Sequence, residues 1–328
     1  MKRLIVVYNP RSSRFIDVKK EVLDKVKTLK GYMIGKYEVE PSDVDENAKK
    51  FAKILQDGDL VISAGGDATA SISANGILRS GKDVSLAVLP YGNFNDLSRT
   101  LGVKKFEEIG LHGRVTSAEG DPKMFCEAKI LGRESRRQDP SSSKLYPLEI
   151  YIDGKFFRYA TCYVTIGMTA EACEIFDIPK FRKSMQKGHK SSWRSYLALV
   201  KWYFKNRHKK QFIPDFKLNG ELQHKKTSDY AAVSGRSMCR VMKGGDDYHD
   251  PKKFRSMTGR LTNFWRLSIL MIKSILVRTP GKDTEGDVIE FINPSTVELQ
   301  AEGEYRTFEN IKKIEIKKGN KCLKVIES

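Results

Sequence analysis

Three short apolar runs, each ended by a polar turn and followed by helical spacing, constrain the fold of this chain most. Leu4–Tyr8, Leu60–Ala64 and Val84–Leu89 are aliphatic and β-branched throughout much of their length, as strands buried on both faces require. Apolar residues at 18, 22, 23, 26 and 29 repeat at helical spacing after the first run, and about Asn47–Gln56 and Ala70–Leu78 read as two further helices. Strands alternating with helices predict a parallel α/β sheet in the first third.

The pattern changes from about Met124 onward. Leu148–Ile152, the turn Asp153-Gly154 and Phe156–Ile166 read as a hairpin, because Asp-Gly suits the tight turns that join antiparallel strands. Asp287–Ile292, Thr296–Gln300 and Ile311–Ile316 read as further strands, and Gln138–Lys144, with Pro140 and three serines, as a loop. A length of 328 residues suits two domains. The division expected is an α/β domain at 1–123 and a β-rich domain at 124–305, with strands at about 306–328 returning to the first.

Hydrophobic residues make up 40% of the chain, enough for a globular core and too many for disorder. The five cysteines are scattered without CxxC spacing, which argues against a disulfide framework or a zinc site and fits a reducing compartment. The apolar start stops at Asn9-Pro10, short of a signal peptide. Leu267–Val277 is too short to span a bilayer and contains Lys273. A soluble or peripheral protein is expected. The net charge of +18 favours anionic partners (membrane surface, nucleic acid or nucleotide), or serves solubility alone.

Chemistry concentrates in the polar turns. Gly65-Gly66-Asp67-Ala68-Thr69 lies directly after a buried strand and before a helix. Two glycines let backbone N–H groups approach a phosphate, and the helix start adds partial positive charge. Asp67 can hold Mg²⁺ directly or through water; the alternative is an ordinary strand-to-helix turn. Asn9-Pro10-Arg11-Ser12-Ser13 follows the first strand, and Pro90-Tyr91-Gly92-Asn93-Phe94-Asn95-Asp96 follows the third apolar run. Loops at the carboxyl ends of strands are where such sheets bind ligands.

These segments resemble the nucleotide-binding elements of the diacylglycerol kinase catalytic-domain family, which includes bacterial diacylglycerol and sphingosine-type lipid kinases. Its pattern is Asn-Pro-x-Ser-Gly, then Gly-Gly-Asp-Gly-Thr, then Pro-x-Gly-Thr-x-Asn-Asp. The chain matches at Asn9, Pro10 and Ser12; at Gly65, Gly66, Asp67 and Thr69, continuing with Asn75-Gly76; and at Pro90, Gly92, Asn95 and Asp96, then Arg99 and Leu101-Gly102. Tyr163–Met168 resembles the family's strand ending in Ser-x-Gly. Glu302-Gly303-Glu304 resembles the Asp-Gly-Glu that supplies the catalytic base.

The resemblance implies an α/β nucleotide-binding domain of the NAD kinase and diacylglycerol kinase type plus an all-β, sandwich-like second domain, with the site between them. It implies ATP and Mg²⁺ as cofactors. Asn9, Pro10, Ser12, Ser13, Gly65, Gly66, Asp67, Ala68, Thr69 and Asn93 would serve nucleotide, and Asp67 the metal, directly or through water. Glu302 would be the base and Glu304 its neighbour; on extended backbone the two would share a face. Asn95 and Asp96 would shape their loop. The chain departs from the pattern at Ala68, Ser13 and Asn93, at Ile72 where many members have glutamate, and at Glu302, one methylene longer than aspartate. Ala68 would be strained if its position required positive φ. After Gly244-Gly245 and Pro251 the family's acidic pair is missing, and Asp246, Asp247 and Asp250 read as a polar loop.

From Lys180 to Lys210 the chain is basic and aromatic without Asp or Glu, and Ser192–Asn206 reads as an amphipathic helix. It suits either an anionic membrane surface or a core-facing helix with a solvated back; Phe264–Arg278 reads more as core. No nucleic-acid motif appears, so no nucleic-acid partner is expected, and a homodimer is left open. The expected function is transfer of the ATP γ-phosphoryl group to a lipid hydroxyl, diacylglycerol to phosphatidate foremost. The expected location is cytoplasmic, peripheral on the inner face of the membrane. Two rivals stand beside it: a catalytically weak or inactive relative binding nucleotide or lipid, and a soluble-substrate kinase of the NAD kinase type.

Overall fold

A computed structural model describes residues 2–12, 14–111, 142–177, 200–206, 212–239, 242–260 and 281–327, with positions 265, 268, 269 and 273. The chain opens with β1 (Lys2–Tyr8), the helical turn α1 (Phe15–Val18), a π-helical stretch Lys19–Leu23 and α2 (Asp24–Val26). Then come β2 (Tyr32–Glu38), α3 (Val44–Ala52), β3 (Leu60–Gly65), α4 (Asp67–Ser80), β4 (Ser85–Pro90) and α5 (Asp96–Leu101). Asp43 caps α3, its carboxylate accepting the Glu46 N–H at 2.9 Å. Gly81, at φ 66°, ends α4, a left-handed position that glycine adopts without strain.

Next follow β5 (Ser142–Leu145), β6 (Leu148–Ile152), β7 (Lys155–Ala160), β8 (Tyr163–Gly167), α6 (Met168–Asp177), β9 (Phe216–Leu218), β10 (Glu221–Leu222) and β11 (Asp229–Val233). The last elements are β12 (Ser237–Met238), β13 (Met242–Lys243), β14 (Phe254–Gly259), β15 (Lys282–Thr284), β16 (Gly286–Ala301), β17 (Glu304–Lys318) and β18 (Leu323–Ile326).

The first sheet runs β2-β1-β3-β4-β18-β5, parallel except for the antiparallel β5. The chain leaves β1 to one side for β2 and returns on the other for β3. Ligand crevices form where an α/β sheet reverses its order in this way. The second sheet is antiparallel along β15-β14-β11-β8-β16-β17-β6-β7, with β9 paired to β16 and β10 to β9. The molecule thus has an α/β sheet and a separate antiparallel β unit. Its two cores meet at a seam: Tyr159, Tyr163, Ala231 and Val233 of the second sheet, with Cys162 between β7 and β8, pack into the first core.

Several expectations need correction. Of the return expected at about 306–328, only Leu323–Ile326 pairs with the first sheet; Glu304–Lys318 stays in the second as the partner of β16 and β6. Phe156–Ile166 is two strands, because the chain leaves β7 at Ala160 and enters β8 between β11 and β16. The two late strands Asp287–Ile292 and Thr296–Gln300 are one strand, irregular in register between Glu290 and Val297. The Asp153-Gly154 hairpin forms as read, with Asp153 at φ 47° and Gly154 at φ 77°.

The domain division near 120–127, much of 180–210 and most of Phe264–Arg278 lie outside the described residues. Val200–Asn206 is helical, with Tyr203 buried beside Met168 and Phe212. Trp265 and Ile269, read as core, are 73% and 53% exposed. No helix among the described residues is long and apolar enough to cross a membrane.

Candidate active site

The three polar turns emerge side by side at the carboxyl ends of β1, β3 and β4. The first is a tight turn in which Ser12 N–H donates to the Asn9 carbonyl at 3.1 Å and Arg11 N–H to the Asn9 side chain at 2.9 Å. Arg14 ties it to the third by donating to the Pro90 carbonyl at 3.2 Å and lying 5.3 Å from the centre of the Tyr91 ring. Ser13 lies outside the described residues.

The second and third turns touch backbone to backbone. A Cβ on Gly92 would sit 2.2 Å from the Gly66 Cα, and one on Gly66 3.1 Å from the Gly92 Cα. Only glycine permits that approach at position 92. A Cβ on Gly65 would strike the Thr69 side chain at 2.4 Å. Gly66 sits at the start of α4 with no side-chain cap, so the first N–H groups of this 14-residue helix lack the side-chain partner that usually satisfies one of them. Such a helix start fits a phosphate. Ala68 lies within α4 and is absent from the positive-φ residues. The strain conditional on positive φ therefore does not arise, and its methyl is exposed. Asn93 is half-buried in the third turn.

Asp67 braces that turn. Its two carboxylate oxygens accept the N–H groups of Asn95 at 3.0 Å and Asp96 at 2.8 Å, and so serve the N-terminus of α5. Asn95 holds a left-handed φ of 57° and clamps Gly92 with both ends of its amide. Burial, then the neighbouring Asp96 charge, push the Asp67 carboxyl up to about 7. Asp96 itself is buried, accepting from Tyr163 Oη at 3.1 Å and Ser237 Oγ at 2.6 Å.

Glu302 arrives from the other unit. It is not on extended backbone: Glu302 at φ 53° and Gly303 at φ 83° form the two-residue turn between β16 and β17, with the both-positive φ of a type I′ hairpin. A left-handed glutamate costs roughly 1–2 kcal/mol, and such strain concentrates at functional positions. Here it drives the carboxylate into the seam, where Glu302 is 6% exposed. Its Oε1 accepts the Thr161 N–H, the Thr161 hydroxyl and, at 2.7 Å, the Cys162 N–H. Burial raises its pKa, against the lowering effect of those donors. No hydrogen bond among the described residues reaches Oε2. Glu302 lines one small cavity with Asp67, Ala70, Asp96, Leu97 and Cys162.

Glu304 does not share that face. The turn sends it to Arg158, a fully buried residue of β7 that also bonds Asp45 of α3 at 2.5 Å. Asn75, matched to the family pattern, is also a bridge: its side-chain amide exchanges two hydrogen bonds with the Tyr159 backbone, each at 3.0 Å. A Cβ on Gly76 would lie 2.6 Å from Phe51, so that glycine permits α3 and α4 to pack.

Sequence reading missed Thr161 and Cys162 as the cradle of Glu302, and missed Tyr163 and Ser237 as partners of Asp96. The available signal for Thr161, Cys162 and Tyr163 was their place just before or at the start of the strand Tyr163–Gly167; Ser237, in the separate pair β12–β13, carried none. Among the described residues no group of three or more His, Cys, Asp or Glu is placed to hold a metal ion. Asp67, the first residue of α4, is the carboxylate of the second turn, and both its oxygens are engaged by backbone N–H groups. Asp246 pairs with Arg236 at 2.5 Å, and Asp250 accepts the Lys252 and Lys253 N–H groups.

The family model described as the diacylglycerol kinase catalytic domain matches residues 3–120. The chain is similar to a diacylglycerol kinase of Bacillus subtilis (strain 168), 36% identical over 108 residues, which is 32% of this chain and 35% of that relative. It is also similar to a diacylglycerol kinase of Staphylococcus carnosus (strain TM300), 28% identical over 166 residues, 47% of this chain and 54% of that relative. The chain thus spans about a third to a half of the length of these curated relatives. A solved structure of a diacylglycerol kinase from Bacillus anthracis superposes with TM-score 0.59 at 16% identity, covering 100% of this chain and 97% of that one. That likeness concerns the fold.

Proposed function

Through residues 3–120 the chain belongs to the diacylglycerol kinase catalytic domain family, and from that premise we propose that it transfers the γ-phosphoryl group of ATP to a lipid hydroxyl, converting diacylglycerol to phosphatidate. The observation that carries this reading is the meeting of two parts from different units. The glycine turns and α4 start, suited to phosphates, belong to the first; the buried Glu302, whose Oε2 takes no hydrogen bond among the described residues, belongs to the second.

The uncapped start of α4, with Gly65, Gly66 and Thr69, would bear on the phosphates, and the turns at Asn9–Ser12 and Asn93 on the rest of the nucleotide. Asp67 holds the third turn against the second, and through water it would bear on a Mg²⁺ ion arriving with the phosphates. When bound, that ion supplies neutralisation of phosphate charge. The lipid hydroxyl oxygen attacks the γ-phosphorus, and its proton passes to Glu302 Oε2. The bond from the γ-phosphorus to the β–γ bridging oxygen breaks, and ADP leaves. A general base needs a pKa near the working pH, which burial of Glu302 favours. The three donors on Oε1 fix the carboxylate, and positioning is most of what phosphoryl transfer requires. The lipid would be met at an anionic membrane surface, towards which the net charge of +18 inclines the chain.

One observation favours a second reading, a relative that binds nucleotide with little turnover: both Asp67 oxygens are already engaged by the backbone of α5. Transfer of labelled γ-phosphate from ATP to a mixed lipid extract in micelles, with NAD offered in parallel, separates the readings. Labelled phosphatidate is the expected product. Label on NAD and none on lipid overturns the lipid assignment, and a folded, ATP-binding protein that labels neither supports the second reading.

A further inference from the structure

A groove on the seam, remote from the active site, has one sign of charge. Its volume is about 510 Å³, and it is lined by Lys49, Ala52, Lys53, Arg79, Phe156, Tyr159 and Lys321, a size suited to a small ligand. Arg79 lies twelve residues along α4 from Asp67, about 18 Å at the helical rise. The groove therefore shares nothing with the glycine turns.

Its four cations come from three segments and no carboxylate lines it. Lys49 and Lys53 stand one helical turn apart at the end of α3, where like charges repel. Lys50, between them, pairs with Glu40 and Glu46; among the described residues Lys49 and Lys53 have no ion pair. The helix thus points its unpaired lysines into the groove. On the floor Arg79 lies 5.3 Å from the Phe156 ring centre, and its terminal nitrogen serves the Phe157 carbonyl at 3.0 Å and Asp45 at 3.4 Å. Its Nε is buried without a hydrogen-bond partner, a state that proteins seldom leave uncompensated. On the far wall Lys321 lies 5.9 Å from the Tyr159 ring centre and donates to the Leu78 carbonyl at 3.0 Å. That bond answers the partial negative charge at the end of α4, which would otherwise repel an anion. The rings hold the cations near one another without neutralising them.

We propose that this groove is a second binding site, for an anion carrying two or more phosphate-type charges. A lipid phosphate headgroup and a free polyphosphate share that chemistry. The site goes beyond the kinase reading and stands without it.

Amide hydrogen exchange of the full chain at physiological salt tests this, with inorganic pyrophosphate in one arm and phosphatidate–phosphatidylcholine vesicles in the other. Protection over residues 44–53 and 79–81 is expected in the wild type. It is also expected in the charge-matched control Lys225→Glu/Lys226→Glu, at an exposed turn of the second sheet. In Lys49→Glu/Lys53→Glu the half-protecting concentration should rise at least about tenfold; Lys321→Gln, on the opposite wall, serves if that variant fails to fold. Protection by vesicles alone names a headgroup, and protection by pyrophosphate names a soluble ligand. No protection by either, or the same protection in the groove variant as in the control, overturns the proposal.

Discussion

At the scale of single residues, the proposed chemistry turns on how Glu302 is held. Three donors converge on Oε1, and two of them, the Thr161 hydroxyl and N–H, come from one residue. They favour the charged carboxylate while burial opposes it. Because the folded pKa is raised, a base at this position works above that pKa, and its activity is lost as pH falls through it. Thr161→Ala removes one charge-assisted hydrogen bond, so the acid limb of the kcat/KM profile should move up by about one pH unit, while Thr161→Ser should restore it. An unmoved or lowered limb would remove Thr161 from the positioning of Glu302. Glu304 illustrates what residue types could not reveal: Glu-Gly-Glu reads equally as extended backbone or as a turn, and only pairing of β16 with β17 makes Glu302-Gly303 the turn.

At the scale of elements, the site depends on two turns touching through glycine. Gly92→Ala places a methyl 2.2 Å from the Gly66 Cα, which no rotamer relieves, because both groups belong to the backbone. The turns must part, and we expect about 1–3 kcal/mol of lost stability, as for overpacking elsewhere, together with weakened ATP affinity; thermal unfolding and nucleotide titration measure both. A variant as stable and as tightly binding as the wild type would show that the contact does not shape the site. These turns were legible in the sequence because glycine, aspartate and asparagine carry their conformational preferences locally, and buried parallel strands carry theirs in continuous aliphatic runs. The edge strand Tyr32–Glu38 was not read: it is paired on one side only and none of its residues is fully buried, so it has neither a continuous apolar run nor clean alternation. Likewise, nothing within Phe156–Ile166 marks the point where the chain passes from β7 to β8.

At the scale of the whole molecule, two units become one through polar contacts as well as apolar packing. Arg158 of β7 reaches Asp45 and Glu304, and Arg306 of β17 reaches Asp43 at 2.9 Å and Asp45 at 3.4 Å. Asn75 fastens α4 to β7. Such long-range partners could not be paired from sequence, because their separations exceed any local periodicity; Asn75 and Glu302 were visible only through family resemblance. The glycine turns proposed to take phosphates and the proposed base belong to different sheets, and Glu302 meets Asp67 in one cavity where the sheets meet. The central claim is that Glu302, delivered across this seam, accepts the proton of a lipid hydroxyl. Its most direct test compares wild type with Glu302→Gln in transfer of labelled γ-phosphate from ATP to lipid, with folding and ATP binding measured in parallel. The account predicts a folded, ATP-binding variant whose transfer rate falls by roughly 10²–10⁴-fold; transfer at the wild-type rate would contradict it.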